Sequence, residues 1–295
     1  MRVPWRLSMP QRMRNRGGRR SASPGVIGNE DGIMTEELRY ALASVEHSAE
    51  LSRLEKLQAI NDPATLARLD LIGIAPGWRC LEVGAGAGSI ARELARRVGD
   101  AGHVVAADID PRFLADFPGP NRSVVVHDLS KGVVGSADFD FAHCRALLAH
   151  IEDLPGAARN LVESVRRGGV VLCEEPDYGA CEPCDPDHPR AAIFRSYVDG
   201  VLGGDRMDPY AGRNMYAALR DAGLADLRSS AVSEIVSGGS FRAKYRKETM
   251  ENVREMAVTH GTYTEESFQA LMDCFDDPSF CYVDVLWIGV WGRRS

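Results

Sequence analysis

The chain has 295 residues, 44% hydrophobic and 26% charged, ordinary proportions for a soluble globular protein with room for one large α/β domain and an added subdomain. No apolar run approaches the roughly 18 residues of a bilayer span; the most apolar stretch, Cys281 to Trp291, is short and holds Asp284. The net charge of −7 is unevenly placed: Arg2, Arg6, Arg12, Arg14, Arg16, Arg19 and Arg20 face only Glu30 and Asp31, leaving −12 on the remainder, which disfavours a nucleic-acid backbone or a membrane surface as partner.

Residues 1–33 have no apolar h-region and little to pack, so they read as a disordered basic tail rather than a secretory signal. The seven cysteines are odd in number and scattered, as expected of reduced thiols in a cytoplasmic protein. Residues 34–75 read as an N-terminal helical cover. Leu38, Leu42, Val45, Ala49 and Leu57 recur near helical spacing from Glu36 to Ile60. Asn61-Asp62-Pro63 then predicts a break, with Asp62 capping a second short helix that starts at Pro63, carries Leu66 and Leu69, and ends at Gly73.

From residue 76 to 178 strands and helices alternate. Strands are predicted from Trp78 to Val83, His103 to Ala107, Val124 to Val126, Phe139 to His143 and Val170 to Glu174. Helices are predicted from Ser89 to Val98 and from Asp153 to Arg167, the latter stopped by Gly168-Gly169. This alternation predicts an α/β fold: a Rossmann-like doubly wound sheet, mostly parallel with an antiparallel last strand. In residues 179–295, helices from Pro189 to Leu202, Ala211 to Ala222, Ala243 to Thr259 and Thr264 to Cys274 read as inserted substrate-cover helices. Leu224 to Val236 and Cys281 to Trp291 are the last strands of the core.

Ligands of such sheets sit beyond the carboxyl ends of the strands. Glu82, Gly84, Asp108, Asp128, His143 and Glu174 all fall there. The loop Glu82-Val83-Gly84-Ala85-Gly86-Ala87-Gly88-Ser89 joins a predicted strand to a helix, and its glycines let a ligand approach the main chain. Its spacing is G-x-G-x-G, one residue short of the dinucleotide fingerprint, and Glu82 would suit a cationic ligand better than a pyrophosphate. A nicotinamide-dependent oxidoreductase is therefore the weaker reading.

This loop resembles motif I of the class I S-adenosylmethionine-dependent methyltransferases, and the resemblance to actinobacterial-type small-molecule members runs from about Glu50 to Asp177. It implies S-adenosylmethionine as cofactor. Gly84, Gly86, Gly88 and Ser89 would line the loop under the donor, with Glu82 near its ammonium. Asp108 would grip the ribose hydroxyls, as a carboxylate can by accepting two hydrogen bonds. Ile109 would pack on the adenine, with Asp128 and Leu129 at its amino edge. His143, in the fourth-strand motif Phe139-Asp140-Phe141-Ala142-His143-Cys144-Arg145, would also border the donor, and Arg145 could fork onto a substrate carboxylate or pair with a nearby acid.

Because the sulfonium methyl is already electrophilic, alignment matters most, and a general base helps when the acceptor is a hydroxyl or amine. His143, His150, Glu174 and Asp177 are the candidates, set against simple structural bonding or loop capping. Phe194, Tyr197, Tyr210 and Tyr216 could wall an acceptor pocket, or simply pack. Cys181-Glu182-Pro183-Cys184 lacks the second half-site of a zinc centre and reads as loop thiols, so no metal is assigned. Six carboxylates and no lysine or arginine lie between Glu174 and Asp187, which reads either as a solvated loop or as a mouth for a neutral or cationic substrate, or for a divalent ion. The expected enzyme is a monomer or homodimer that methylates a small molecule, oxygen or nitrogen, in specialised metabolism. A protein that binds the donor without turning it over is the other alternative.

Overall fold

The computed structural model describes residues 47–204, 206–259 and 262–295. The predicted basic tail and the first turns of the predicted cover helix lie outside the described residues.

Seven strands form the central sheet in the order β3-β2-β1-β4-β5-β10-β7. They are β1 (Arg79–Val83), β2 (His103–Asp108), β3 (Arg122–Val126), β4 (Phe139–Arg145), β5 (Val165–Asp177), β7 (Leu224–Val232) and β10 (Leu286–Arg294). β10 runs antiparallel to both β5 and β7, while the other pairings are parallel. This is the predicted doubly wound sheet with its antiparallel last strand. A second sheet, β6-β9-β8, is built from β6 (Glu182–Pro183), β8 (Ile235–Ser237) and β9 (Cys281–Val283). The predicted Leu224–Val236 and Cys281–Trp291 strands are thus each divided between the two sheets.

One face of the central sheet carries α2 (Ser89–Val98), whose Ile90, Ala91, Leu94, Ala95 and Val98 form the buried stripe, together with Leu69 of α1 (His47–Ile72). The other face carries α3 (Leu154–Ser164) and α5 (Ala211–Asp221), packed through Ala158, Leu161, Met215 and Leu219. The expectation that Ala211 to Ala222 belongs to the substrate cover is therefore corrected: its apolar stripe faces the sheet. The remaining helices, α4 (Ala191–Leu202), α6 (Phe241–Asn252), α7 (Arg254–Thr259) and α8 (Glu265–Asp276), share a separate core of Phe194, Tyr197, Phe268, Phe275, Phe280 and Tyr282.

Two boundaries differ from expectation. α1 continues through Pro63 without a break. Proline lacks an N–H and so removes one ladder bond, but polar contacts from Asp62, Thr65 and Arg68 to the sheet hold the helix on both sides of the gap. Helix α3 stops at Ser164, three residues early, because Val165 already pairs with Phe139 of β4. The Gly168-Gly169 pair sits in a strand irregularity, not at a helix end. A Cβ on Gly169 would lie 2.9 to 3.1 Å from the carbonyl oxygens of Arg166, Phe139 and Asp140.

Candidate functional site

The glycine loop follows β1, with Gly84, Gly86 and Gly88 at φ of 69°, 52° and 81°. These left-handed values exclude most side chains. Asp108, half-buried at the end of β2, accepts a hydrogen bond from the Gly86 N–H through Oδ2 at 2.9 Å and from the Asp110 N–H through Oδ1 at 2.9 Å. Burial raises its pKa, against those N–H donors. Each oxygen keeps acceptor capacity beyond one bond, as ribose hydroxyls require. Ile109 beside it is 64% exposed, an apolar surface free to be covered by a base. Asp128 caps the turn that follows it, accepting from Ser130 N–H at 2.9 Å, whereas the Leu129 side chain is buried in the core. The open loop, the carboxylate at the second strand end and the adjacent exposed isoleucine fit S-adenosylmethionine.

Beneath the loop lies a sealed polar network. His143 on β4 is fully buried, and its Nδ1 meets Glu82 Oε2 at 2.7 Å while Nε2 meets Glu174 Oε2 at 3.0 Å. Burial alone would lower the imidazole pKa, but the two carboxylates outweigh it and lift it to about 10. His143 is therefore an imidazolium at neutral pH. Glu174 also takes Arg68 and the Thr65 hydroxyl, both from α1. Burial opposes its ionisation, yet His143, Arg145 and Arg68 hold its pKa down at about 2. Arg145 extends the network to Thr65 and to Asp62, each at 2.8 Å, and Asp62 accepts from Ser89 Oγ at 3.1 Å. Three basic groups (Arg68, His143, Arg145) thus face three acids (Asp62, Glu82, Glu174), and burial raises the Glu82 pKa against the pull of His143 and Arg145.

These contacts sort the candidate bases. His143 already holds its proton, and Glu174 is too acidic and too enclosed. Asp177 is buried and bound bidentately by Arg213 while accepting from the Gly179 N–H at 2.9 Å. Its place is a loop anchor. His150 differs: it is half-buried, burial and then nearby Arg53 depress its pKa to about 4, and it lines an open cleft of about 420 Å³ with Glu152, Arg206 and Asp208. The cleft wall is held by Glu175, whose carboxylate accepts the backbone N–H groups of Leu147, Leu148 and Ala149 at 2.9, 2.8 and 3.3 Å. Burial raises the Glu175 pKa to about 7 against those donors.

Of the predicted aromatic wall, Phe194 and Tyr197 are buried in the helical core, and Tyr210 stacks on Arg213. The acidic stretch divides likewise: Glu174, Glu175 and Asp177 are buried and partnered, leaving Glu182, Asp185 and Asp187 at the surface. Among the described residues no group of three or more His, Cys, Asp or Glu side chains could hold a metal ion, and no helix is long and apolar enough to cross a membrane. Sequence reasoning missed Thr65, Arg68 and Glu175. The signal for the first two was present, because Glu50, Arg53, Asn61, Thr65 and Arg68 recur at helical spacing as a buried polar stripe.

A family described as a methyltransferase domain matches residues 30–229. The methyltransferase str2 of Strobilurus tenacellus is 30% identical over 100 residues, which cover 34% of this chain and 36% of that protein. The ubiquinone/menaquinone biosynthesis C-methyltransferase UbiE of Vibrio parahaemolyticus is 28% identical over 130 residues, 39% of this chain and 48% of that one. The chain spans about half or less of the length of these curated relatives. The solved structure of Haemonchus contortus phosphoethanolamine N-methyltransferase 2, in complex with phosphomonomethylethanolamine and S-adenosylhomocysteine, shares the fold at a TM-score of 0.51 and 16% identity, covering 79% of this chain and 52% of that one. With the glycine loop, the strand-end carboxylate and the sheet order already described, the family match places the chain among the class I S-adenosylmethionine-dependent methyltransferases, to which it belongs.

Proposed function

We propose that the chain transfers a methyl group from S-adenosylmethionine to a hydroxyl or amine of a small molecule, with His150 accepting the proton. The observation that carries this reading is the contrast among the four candidate bases. His143, Glu174 and Asp177 are held in buried ion pairs away from any opening, whereas His150, whose pKa burial depresses to about 4, lines an open cleft.

When bound, the donor supplies an electrophilic methyl on a sulfonium. The chain's task is then to align an acceptor and take its proton. Gly84, Gly86 and Gly88 would support the donor, Asp108 its ribose and Ile109 its base. Glu82 and Ser89 act through others: Glu82 fixes the imidazolium of His143, and Ser89 ties the loop to Asp62 of α1. A role in specialised metabolism is the setting the family resemblance suggests, and the scattered cysteines favour a reducing compartment such as the cytoplasm.

Titration calorimetry with S-adenosylmethionine, S-adenosylhomocysteine and NAD tests the cofactor. Binding of the first two and not of NAD is expected, and the reverse would overturn the reading. Formation of S-adenosylhomocysteine with a panel of phenols, alcohols and amines tests the transfer. Binding of the donor without turnover on any acceptor class would instead favour a non-catalytic role.

A further inference from the structure

The Cys181-Glu182-Pro183-Cys184 segment takes no part in the site above, yet its second cysteine has a defined neighbour. β6 pairs with β9 in antiparallel register, Glu182 opposite Val283 and Pro183 opposite Tyr282. One step further along the same register, Cys184 stands opposite Cys281, and the Cys184 N–H donates to the Cys281 carbonyl at 2.9 Å. A directly opposed, hydrogen-bonded antiparallel pair has its Cα atoms about 5.5 Å apart. That is the separation a disulfide spans without backbone movement.

The pleat puts both thiols on one side. Pro183, Tyr282 and Val236 of the three strands are buried together, so Glu182 and Cys184, Cys281 and Val283, and Ile235 and Ser237 share the outer face. Cys184 is exposed and Cys281 partly so, while Cys181 on the other face is buried.

We propose that Cys184 and Cys281 form a reversible cross-strand disulfide, a redox modification site on the solvent face of the small sheet. The oxidant class is a small-molecule disulfide such as oxidised glutathione. One cysteine thiolate attacks the oxidant's S–S bond and releases one glutathione as its thiol. The second thiolate then attacks the mixed disulfide, forms the Cys184–Cys281 bond and releases the second glutathione. Two protein thiols are oxidised, and one disulfide is reduced to two thiols that carry off the two protons. The bond would close a loop of about a hundred residues that includes α4 to α8, and loop closure of that length stabilises chiefly by restricting the unfolded chain.

The test treats the full chain with oxidised glutathione, alkylates the remaining thiols and maps peptides by mass spectrometry. The expected result is a Cys184–Cys281 linked peptide that dithiothreitol reverses. It should persist in Cys181→Ser and vanish in Cys281→Ser, where Cys184 should carry a glutathione adduct instead. The unfolding midpoint should rise by roughly 5 °C or more on oxidation of the unsubstituted chain and not of Cys281→Ser. A link between Cys184 and Cys181, or a wild-type chain with only glutathione adducts at Cys184, would overturn the proposal.

Discussion

The imidazole of His143 and the carboxylate of Glu174 meet 3.0 Å apart on neighbouring strands, with neither side chain reaching water. Their pKa values move in opposite directions, to about 10 and about 2: Glu82 and then Glu174 hold the imidazolium against burial, and His143 with Arg145 and Arg68 holds the Glu174 carboxylate. The sign of the linkage follows. The raised histidine contributes stability that is complete below its unfolded pKa of 6.5 and is lost as pH climbs through about 10. The lowered glutamate contributes stability that is complete above its unfolded value of 4.5 and is lost as pH falls through about 2. Stability from this pair should therefore be greatest between about 4.5 and 6.5. Chemical denaturation across pH should show that plateau, and His143→Gln should abolish the decline on its alkaline side.

His143→Leu should do more than flatten the profile. It would leave Glu82 and Glu174 buried and facing one another, and removal of one partner from a buried ion pair typically costs about 3–5 kcal/mol. Urea unfolding of the variant at pH 6 is the measurement. A loss below 1 kcal/mol would mean that water enters the network.

Asp108→Ala should weaken S-adenosylmethionine binding by about 1.5–3 kcal/mol, the range for charge-assisted bonds. Asp110→Ala should have little effect, because that side chain turns to Arg112. Calorimetry on the two variants checks this, and equal affinities would count against the assignment.

Glu175→Ala should disturb the cleft without touching the glycine loop. It would orphan the N–H groups of Leu147, Leu148 and Ala149, each costing about 1–3 kcal/mol if left unsatisfied. Turnover should fall and hydrogen exchange at those three amides should quicken, while donor affinity holds. Glu175→Gln keeps an acceptor oxygen and should recover much of the loss.

His150→Asn should reduce kcat with little change in donor affinity, if its imidazole takes the acceptor's proton. The loss should shrink for acceptors acidic enough to ionise unaided, such as nitrophenols. An equal loss across acceptors of different acidity would make His150 a structural residue.

Much of this arrangement was legible in the sequence. The alternation of strands and helices predicted the sheet, and the G-x-G-x-G spacing predicted the tight glycine turn after β1, because local spacing dictates them. What local spacing does not encode is which buried polar groups will find each other. Glu174, His143 and Thr65 are separated by 31 and 109 residues along the chain from the partners they meet. Pro63 was misread for a related reason: its propensity predicts an ending, and only tertiary contacts from the residues around it override that. Likewise Asp177 offers the same carboxylate to a cap, a cation or a substrate, and the choice fell to Arg213 on a distant helix.

Helix α1 has two unequal halves. Beyond Pro63 it is moored by Thr65 and Arg68; before it, Leu54 lies over the glycine loop, close enough that a methyl group on Gly86 would touch it at 3.6 Å. Lys56 reaches across to Glu248 of α6 at 3.0 Å, a half-exposed tie of modest strength. A donor seated on the loop would therefore lie close to Leu54. Arg145 grips both Asp62 and Thr65, so the bond that Pro63 cannot make is bridged from the sheet, and the half of the helix beside the loop keeps its place over Gly86.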